Sequence, residues 1–343
     1  MLACSRVPRV PRVPRALRAL RASRVRRGLG ALLVGPLAVA VLAGCSEGSA
    51  GLASPSPSSA SPTATTTTSV SPSPSASASG SAARKPRFHR YVALGDSYTA
   101  APLVPDTDTT NGCLRSTNNY PALVAAALGT ELVDVSCSGA DTASMVGFQQ
   151  TNEEAKPPQF DALTDDTDLV TVGIGGNDFN LFGTLVGTCA QLRSADPTGS
   201  PCSDRYSDGA SDELTRQLDD IGSHVAAVVA GIRERAPEAR VIVVGYPQII
   251  PARGSCSKLL PLALGDYPFA RRVSAGLADA VKQGARDAEF VDLFGPSAGH
   301  DICSDDPWIN GANTDPARAL AFHPFAEEQQ AAAELVLATL DSR

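Results

Sequence analysis

Two polar residues offer the chain a nucleophile and a base. Ser97 stands in Gly95-Asp96-Ser97-Tyr98, and a serine hydroxyl is a weak nucleophile at neutral pH unless a base takes its proton. Histidine suits that task because its ordinary pKa lies near the working range. The chain has four: His89, His224, His300 and His323. His89 precedes the first apolar segment and His224 falls inside a helical pattern, so both read as surface or packing residues. His300 sits in a loop and is the weaker competitor. His323 stands directly before Pro324, a residue suited to the first position of a helix, so its imidazole is expected at a rigid helix entrance. Taken singly, Gly-Asp-Ser is ordinary turn and capping chemistry, and a histidine before a helix can be a mere cap. The chemical reading therefore depends on what accompanies them.

What accompanies them is an ordered series: Gly95-Asp96-Ser97-Tyr98, then Gly139, then Gly175-Gly176-Asn177-Asp178, then His323-Pro324. The series resembles the SGNH (GDSL) hydrolase family over nearly all of the region from Arg87 onward. Its closest likeness is to the secreted actinobacterial lipases and esterases with three disulfides. The resemblance implies a serine ester hydrolase with Ser97 as nucleophile and His323 as general base. It also implies an oxyanion hole made of the backbone N–H groups of Ser97 and Gly139 and the side-chain amide of Asn177. These types fit the chemistry: glycine allows close backbone approach, and asparagine is a neutral donor that does not compete for the moving proton. Asp96 and Asp178 read as acceptors that order their loops. The family pattern usually has an aspartate three residues before the histidine, where this chain has Leu320. The expectation is therefore a Ser–His dyad, with a backbone carbonyl near Leu320 or Ala321 accepting from the other ring nitrogen. Asp315 is the alternative acid.

Cys113, Cys137, Cys189, Cys202, Cys256 and Cys303 form an even set, which suggests disulfides in an exported protein. The resemblance implies pairing in sequence order: Cys113 with Cys137, Cys189 with Cys202, Cys256 with Cys303. No Cys-x-x-Cys pair or histidine cluster points to a metal, and no cofactor is expected. Gly173-Ile174-Gly175-Gly176 lacks dinucleotide-binding spacing.

Holding these groups together requires a scaffold. Five short segments rich in β-branched residues, Tyr91–Leu94, Leu132–Val135, Leu169–Ile174, Val241–Val244 and Phe290–Leu293, read as buried parallel strands. Helical patterns cover Tyr120–Leu128, Ala210–Arg235, Pro268–Arg286 and Pro324–Leu340. Such alternation predicts an α/β fold with a five-stranded parallel sheet, and the resemblance implies the flavodoxin-like three-layer α/β/α sandwich. Functional groups in such sheets gather beyond the carboxyl ends of the strands, where three of the motifs fall.

Ahead of this domain, residues 1–44 read as a lipoprotein signal peptide: an arginine-rich start, an apolar run from Gly28 to Gly44, and Leu42-Ala43-Gly44-Cys45 resembling the bacterial lipobox. Cys45 would then carry the lipid. Residues 45–86, dominated by Ser, Pro, Thr and Ala, read as a disordered stalk, and residues 87–343 as the hydrolase domain. Nine of the 29 basic residues lie before Gly28, so 20 remain against 36 acidic ones, a formal charge of −16 after Arg27. That balance disfavours nucleic acid and anionic lipid as general partners. The expected protein is an exported monomer, lipid-anchored to the outer face of the cell membrane, acting on an acyl ester or lipid. A deacetylase of polysaccharide or cell-wall glycan using the same site is the alternative, and a non-catalytic surface-binding module a distant third. Trp308-Ile309-Asn310-Gly311 either lines an acyl pocket or places a core tryptophan.

Overall fold

The computed structural model describes residues 87–207 and 213–342. The predicted signal peptide, Cys45, the stalk and the start of the helical pattern at Ala210 lie outside these residues. The five β-branched segments form one sheet: β1 (Arg90–Gly95), β2 (Glu131–Asp134), β3 (Leu169–Gly173), β4 (Arg240–Val244) and β5 (Glu289–Val291). Their order across the sheet is β2-β1-β3-β4-β5, and every pairing is parallel. The flavodoxin-like three-layer α/β/α arrangement is thus the observed fold.

The strands are apolar on both faces because both faces are covered. Val92, Leu94, Val170, Val172, Val241 and Val243 pack into one apolar layer, while Tyr91, Ala93, Leu169, Ile242 and Val244 pack into the other. Two helices that touch each other, α3 (Glu213–Arg235) and α4 (Tyr267–Gly284), close the first layer through residues such as Ile221, Val225, Val273 and Leu277. The second is closed by α2 (Tyr120–Leu128) and α5 (Ala326–Asp341) through Tyr120, Val124, Ala332 and Val336. A short helix, α1 (Ser97–Ala100), follows β1 directly.

One helix begins later than its pattern suggests. Pro324 is not its first residue: it forms an antiparallel bridge with Ile309, and Phe325 caps the helix in an extended conformation (φ −83°, ψ 172°). The cause is tertiary. Asn310 N–H donates to His323 O (2.9 Å) and Phe325 N–H to Trp308 O (2.8 Å), so residues 308–310 hold this stretch extended before the helix can start.

The chain reverses its direction of progress across the sheet between β1 and β3, and the loops leaving their carboxyl ends diverge to opposite faces. That is where a crevice opens in a doubly wound sheet. The six cysteines beyond the stalk are joined as Cys113–Cys137, Cys189–Cys202 and Cys256–Cys303. Among the described residues, no helix is long and apolar enough to cross a membrane.

Candidate active site

The nucleophile position is built by a sharp turn. Gly95 ends β1 at φ +152°, and a Cβ there would overlap Thr99 Oγ1 and lie 2.7 Å from Gly173 O. Only glycine lets β1 and β3 approach so closely at this turn. Asp96 then caps α1: its carboxylate accepts from Tyr98 N–H (2.9 Å), and Ser97 begins the helix with 7% of its surface exposed. Ser97 N–H has no acceptor among the described residues.

Two further loops close on the same point. After β2, Cys137 N–H donates to Gly95 O (3.0 Å), which lays the next turn against the end of β1. Gly139 adopts φ +80° within that turn, a left-handed conformation that suits glycine, and its N–H too has no acceptor among the described residues. After β3, Asn177 Nδ2 donates one proton to Ala140 O (2.8 Å). This bond fixes the amide beside Gly139 and leaves its second N–H free to act. Ser97 N–H, Gly139 N–H and the second Asn177 Nδ2–H are thus three donors without an acceptor among the described residues, on loops that leave the carboxyl ends of adjacent strands.

Buried side chains lock these loops to one another. Asp178 accepts from Thr142 N–H (2.8 Å) and Thr142 Oγ1–H (2.6 Å), joining the Asn177 loop to the one that carries Gly139. His224, read from sequence as a surface or packing residue, also bonds Asp178 (2.7 Å) and stacks on Phe179 at 5.5 Å. Tyr246, just beyond β4, donates its hydroxyl to Asp96 Oδ2 (2.5 Å) and accepts from Gly176 N–H (2.8 Å). It is thus a buried bridge between the serine turn and the asparagine loop. Burial drives the Asp96 carboxyl up to about 7, against the pull of its hydrogen-bond donors. Sequence reasoning missed Tyr246; its position just past a strand, at the edge where the site's loops gather, was the available clue.

The histidine arrives on irregular backbone. Leu320 N–H donates to Pro102 O (3.0 Å), Tyr98 Oη–H to Phe322 O (2.8 Å) and Phe322 N–H to Gly311 O (3.0 Å). These bonds bring the His323 ring to 5.8 Å from that of Tyr98, the neighbour of Ser97. Asn310, also missed from sequence as a support, donates its amide to Ala319 O (2.9 Å) and Leu320 O (3.2 Å). His323 Nδ1 lies 2.7 Å from Ala321 O, the second of the two carbonyls expected from sequence. Burial pushes the imidazole down to about 4, while the Ala321 carbonyl pulls the other way. The ring is therefore neutral at pH 7, with Nδ1–H donating to Ala321 and Nε2 left as a base. Ser97 Oγ makes no hydrogen bond among the described residues, and such catalytic bonds commonly tighten only with substrate.

The competing residues are engaged elsewhere. The Asp315 carboxylate accepts from Ala317 N–H (3.0 Å) within a turn. His300 stacks on Trp308 at 4.4 Å, and its Nδ1 lies 2.8 Å from Asp306 O. Trp308 is half-buried against the apolar core. Beside Gly176, an apolar cleft is lined by Leu181, Phe182, Leu185, Tyr246, Pro247 and Ile249.

Comparisons with known proteins point the same way. The GDSL-like lipase/acylhydrolase family matches residues 93–331, from before Ser97 to beyond His323. Lipase 2 of Streptomyces coelicolor is 44% identical over 221 residues, 62% of this chain and 72% of its own. A lipase of Streptomyces rimosus is 33% identical over 250 residues, 70% of this chain and 82% of its own. Among solved structures, phospholipase A1 from Streptomyces albidoflavus matches with a TM-score of 0.61 and 27% identity, covering 74% of this chain and 99% of that one. The extracellular lipase of Streptomyces rimosus does so with a TM-score of 0.61 and 28% identity, covering 73% and 99%. With the strand order and the placement of Ser97, Gly139, Asn177 and His323 at one sheet edge, these likenesses mean that the chain belongs to the GDSL-like lipase/acylhydrolase family and is a carboxylic ester hydrolase.

Proposed function

We propose that this hydrolase cleaves acyl-lipid esters with a Ser97–His323 dyad. The observation that carries the reading is the 2.7 Å contact of His323 Nδ1 with Ala321 O, where a triad would place a carboxylate. In the first half-reaction Ser97 Oγ attacks the ester carbonyl carbon and its proton passes to His323 Nε2. Negative charge on the carbonyl oxygen is met by Ser97 N–H, Gly139 N–H and the second Asn177 Nδ2–H. Collapse breaks the bond to the alcohol oxygen, and that oxygen takes the proton from Nε2. Water then repeats the sequence on the acyl-enzyme, releasing the acid and restoring Ser97. The Ala321 carbonyl orients the ring and selects its tautomer without supplying a full negative charge. Likeness to lipases and to a phospholipase A1 of Streptomyces supports an acyl lipid as the substrate.

Covalent labelling tests the nucleophile. A fluorophosphonate is expected to label Ser97, and the Ser97→Ala and His323→Ala variants are each expected to lose roughly four orders of magnitude or more in kcat. Asp315→Asn is expected to stay within about threefold of wild type. A loss with Asp315→Asn as severe as that with His323→Ala, in a folded protein, would replace the dyad with a triad.

Export and anchoring belong to the same reading. The apolar run and Leu42-Ala43-Gly44-Cys45 support cleavage before Cys45 and its acylation, and three disulfides fit an oxidising compartment. Mass spectrometry of the mature N-terminus should find a lipid-modified Cys45. An unmodified N-terminus elsewhere would remove the anchor.

A further inference from the structure

The described residues leave five large apolar side chains exposed: Val146 (65%), Phe148 (72%), Phe179 (46%), Leu259 (43%) and Leu264 (48%). All five lie on connections that leave the carboxyl ends of strands. Val146 and Phe148 follow β2, Phe179 follows β3, and Leu259 and Leu264 follow β4. The opposite edge of the sheet and the outer faces of the helices expose none among the described residues.

These loops are fastened to the catalytic groups. Phe179 follows Asp178, whose carboxylate holds Thr142, and Phe148 precedes Gln149, whose amide donates to Ser138 O beside Gly139 (2.8 Å). On the far side Leu259 O accepts from Ala312 N–H (2.8 Å), next to the Gly311 that holds Phe322. Phe148 and Phe179 therefore lie on loops tied to the oxyanion side of the crevice, and Leu259 on one tied to the histidine side.

Charge distribution sharpens the point. Residues 142–152, 179–192, 259–265 and 308–314 contain no Asp, Glu, Lys, Arg or His, although the chain after Arg27 carries a formal −16. A rim that meets only water has no reason to exclude charge. One that meets a low-dielectric surface does, because charged groups lose their hydration there. Exposed apolar groups gathered at one place mark an interaction site rather than scattered surface residues.

We propose that this uncharged apolar lip seats the crevice on a neutral or zwitterionic lipid–water interface, so that an acyl ester enters the site directly from the aggregate. The acidic balance of the chain after Arg27 disfavours anionic surfaces as the partner. The proposal rests on the reading of Ser97 and His323 as an ester-hydrolysing site, and its test separates the two.

The first arm compares wild type with Val146→Glu/Phe148→Glu on an emulsion of tributyrin and on soluble p-nitrophenyl acetate. The expected result is at least a tenfold loss on the emulsion, with kcat/KM on the soluble ester within twofold. Val146→Leu/Phe148→Leu should keep both rates. If the glutamate pair fails to fold, Val146→Ser/Phe148→Ser answers the same question. In the second arm Phe148→Trp adds a fluorophore to a chain whose one tryptophan is Trp308. Vesicles of dibrominated phosphatidylcholine should quench its emission well beyond the wild-type background. Equal loss on both substrates, no loss on the emulsion, or no added quenching would each overturn the lip as a lipid-docking surface. So would concentration-dependent dimerisation abolished by the glutamate pair, or a loss confined to acetylated xylan. If wild type leaves p-nitrophenyl acetate untouched, it is the Ser97–His323 reading that fails, and the quenching arm still decides the surface.

Discussion

The two halves of the crevice are held by different means. On the Ser97 side, three loops leave adjacent strands and are cross-linked through buried side chains: Tyr246 between Asp96 and Gly176, Asn177 on Ala140, and Asp178 on Thr142. On the His323 side the polypeptide has no regular structure and hangs from main-chain bonds to Pro102, Gly311 and Asn310 and from the side chains of Tyr98 and Asn310, which donate to its carbonyls, with a carbonyl rather than a carboxylate against the ring. The first half is specified by side chains that join loop to loop, and the second by a backbone path that two side chains, Tyr98 and Asn310, pin in place. A side-chain-specified half should break sharply under single substitutions. A backbone-specified half should tolerate many of them, because each main-chain bond survives a change of residue.

Beyond the Ser97 and His323 variants themselves, the largest expected effect lies in the first half. Asn177→Ala removes the amide proposed to meet the developing oxyanion and should lower kcat by about 10²–10³-fold with little change in KM. A change in KM alone would mean that Asn177 binds substrate without acting on the transition state. Tyr246→Phe should follow with about a tenfold fall in kcat and about 1–3 kcal/mol of lost stability, because Gly176 N–H is left buried without an acceptor. Denaturant unfolding and steady-state kinetics on the same variant check both. Activity retained at the wild-type level despite the lost stability would show that the bridge supports the fold and not the oxyanion geometry.

The histidine half makes a pH prediction. Burial holds the imidazole near 4, below its ordinary value of about 6.5, so the neutral base persists as pH falls and is lost only as pH approaches 4. The profile of kcat/KM should therefore stay level through about pH 6 and break near 4. A break near 6.5 would mean that the ring is hydrated when the enzyme works. The linked stability has the same sign: the unfolded chain takes up the proton first, so this histidine destabilises the fold as pH drops from about 6.5 toward 4. The smallest effect is expected from Leu320→Ala, where the usual acid is missing. Its main-chain bond to Pro102 remains, so kcat should stay within about twofold; a large loss would show that the loop is held by its side chains after all.

Sequence by itself determined the strands, because runs such as Tyr91–Leu94 and Leu169–Ile174 are apolar on both faces and only a doubly covered parallel sheet buries them so. Through the family resemblance it also pointed to Ser97, Gly139, Asn177 and His323, the first three in turns that follow strands. It identified the missing acid at Leu320, since an absent carboxylate can be read from a single letter. Tertiary structure alone decided what crosses between elements. Tyr246 lies far along the chain from Asp96, and no periodicity records that its hydroxyl reaches both Asp96 and Gly176. The choice of Ala321 over Leu320 as the ring's acceptor, the delayed start of α5 behind Pro324, and the engagement of His224 with Asp178 are of the same kind. Each depends on where two distant backbones come to rest, which is set by packing of the whole domain and not by the residues beside it.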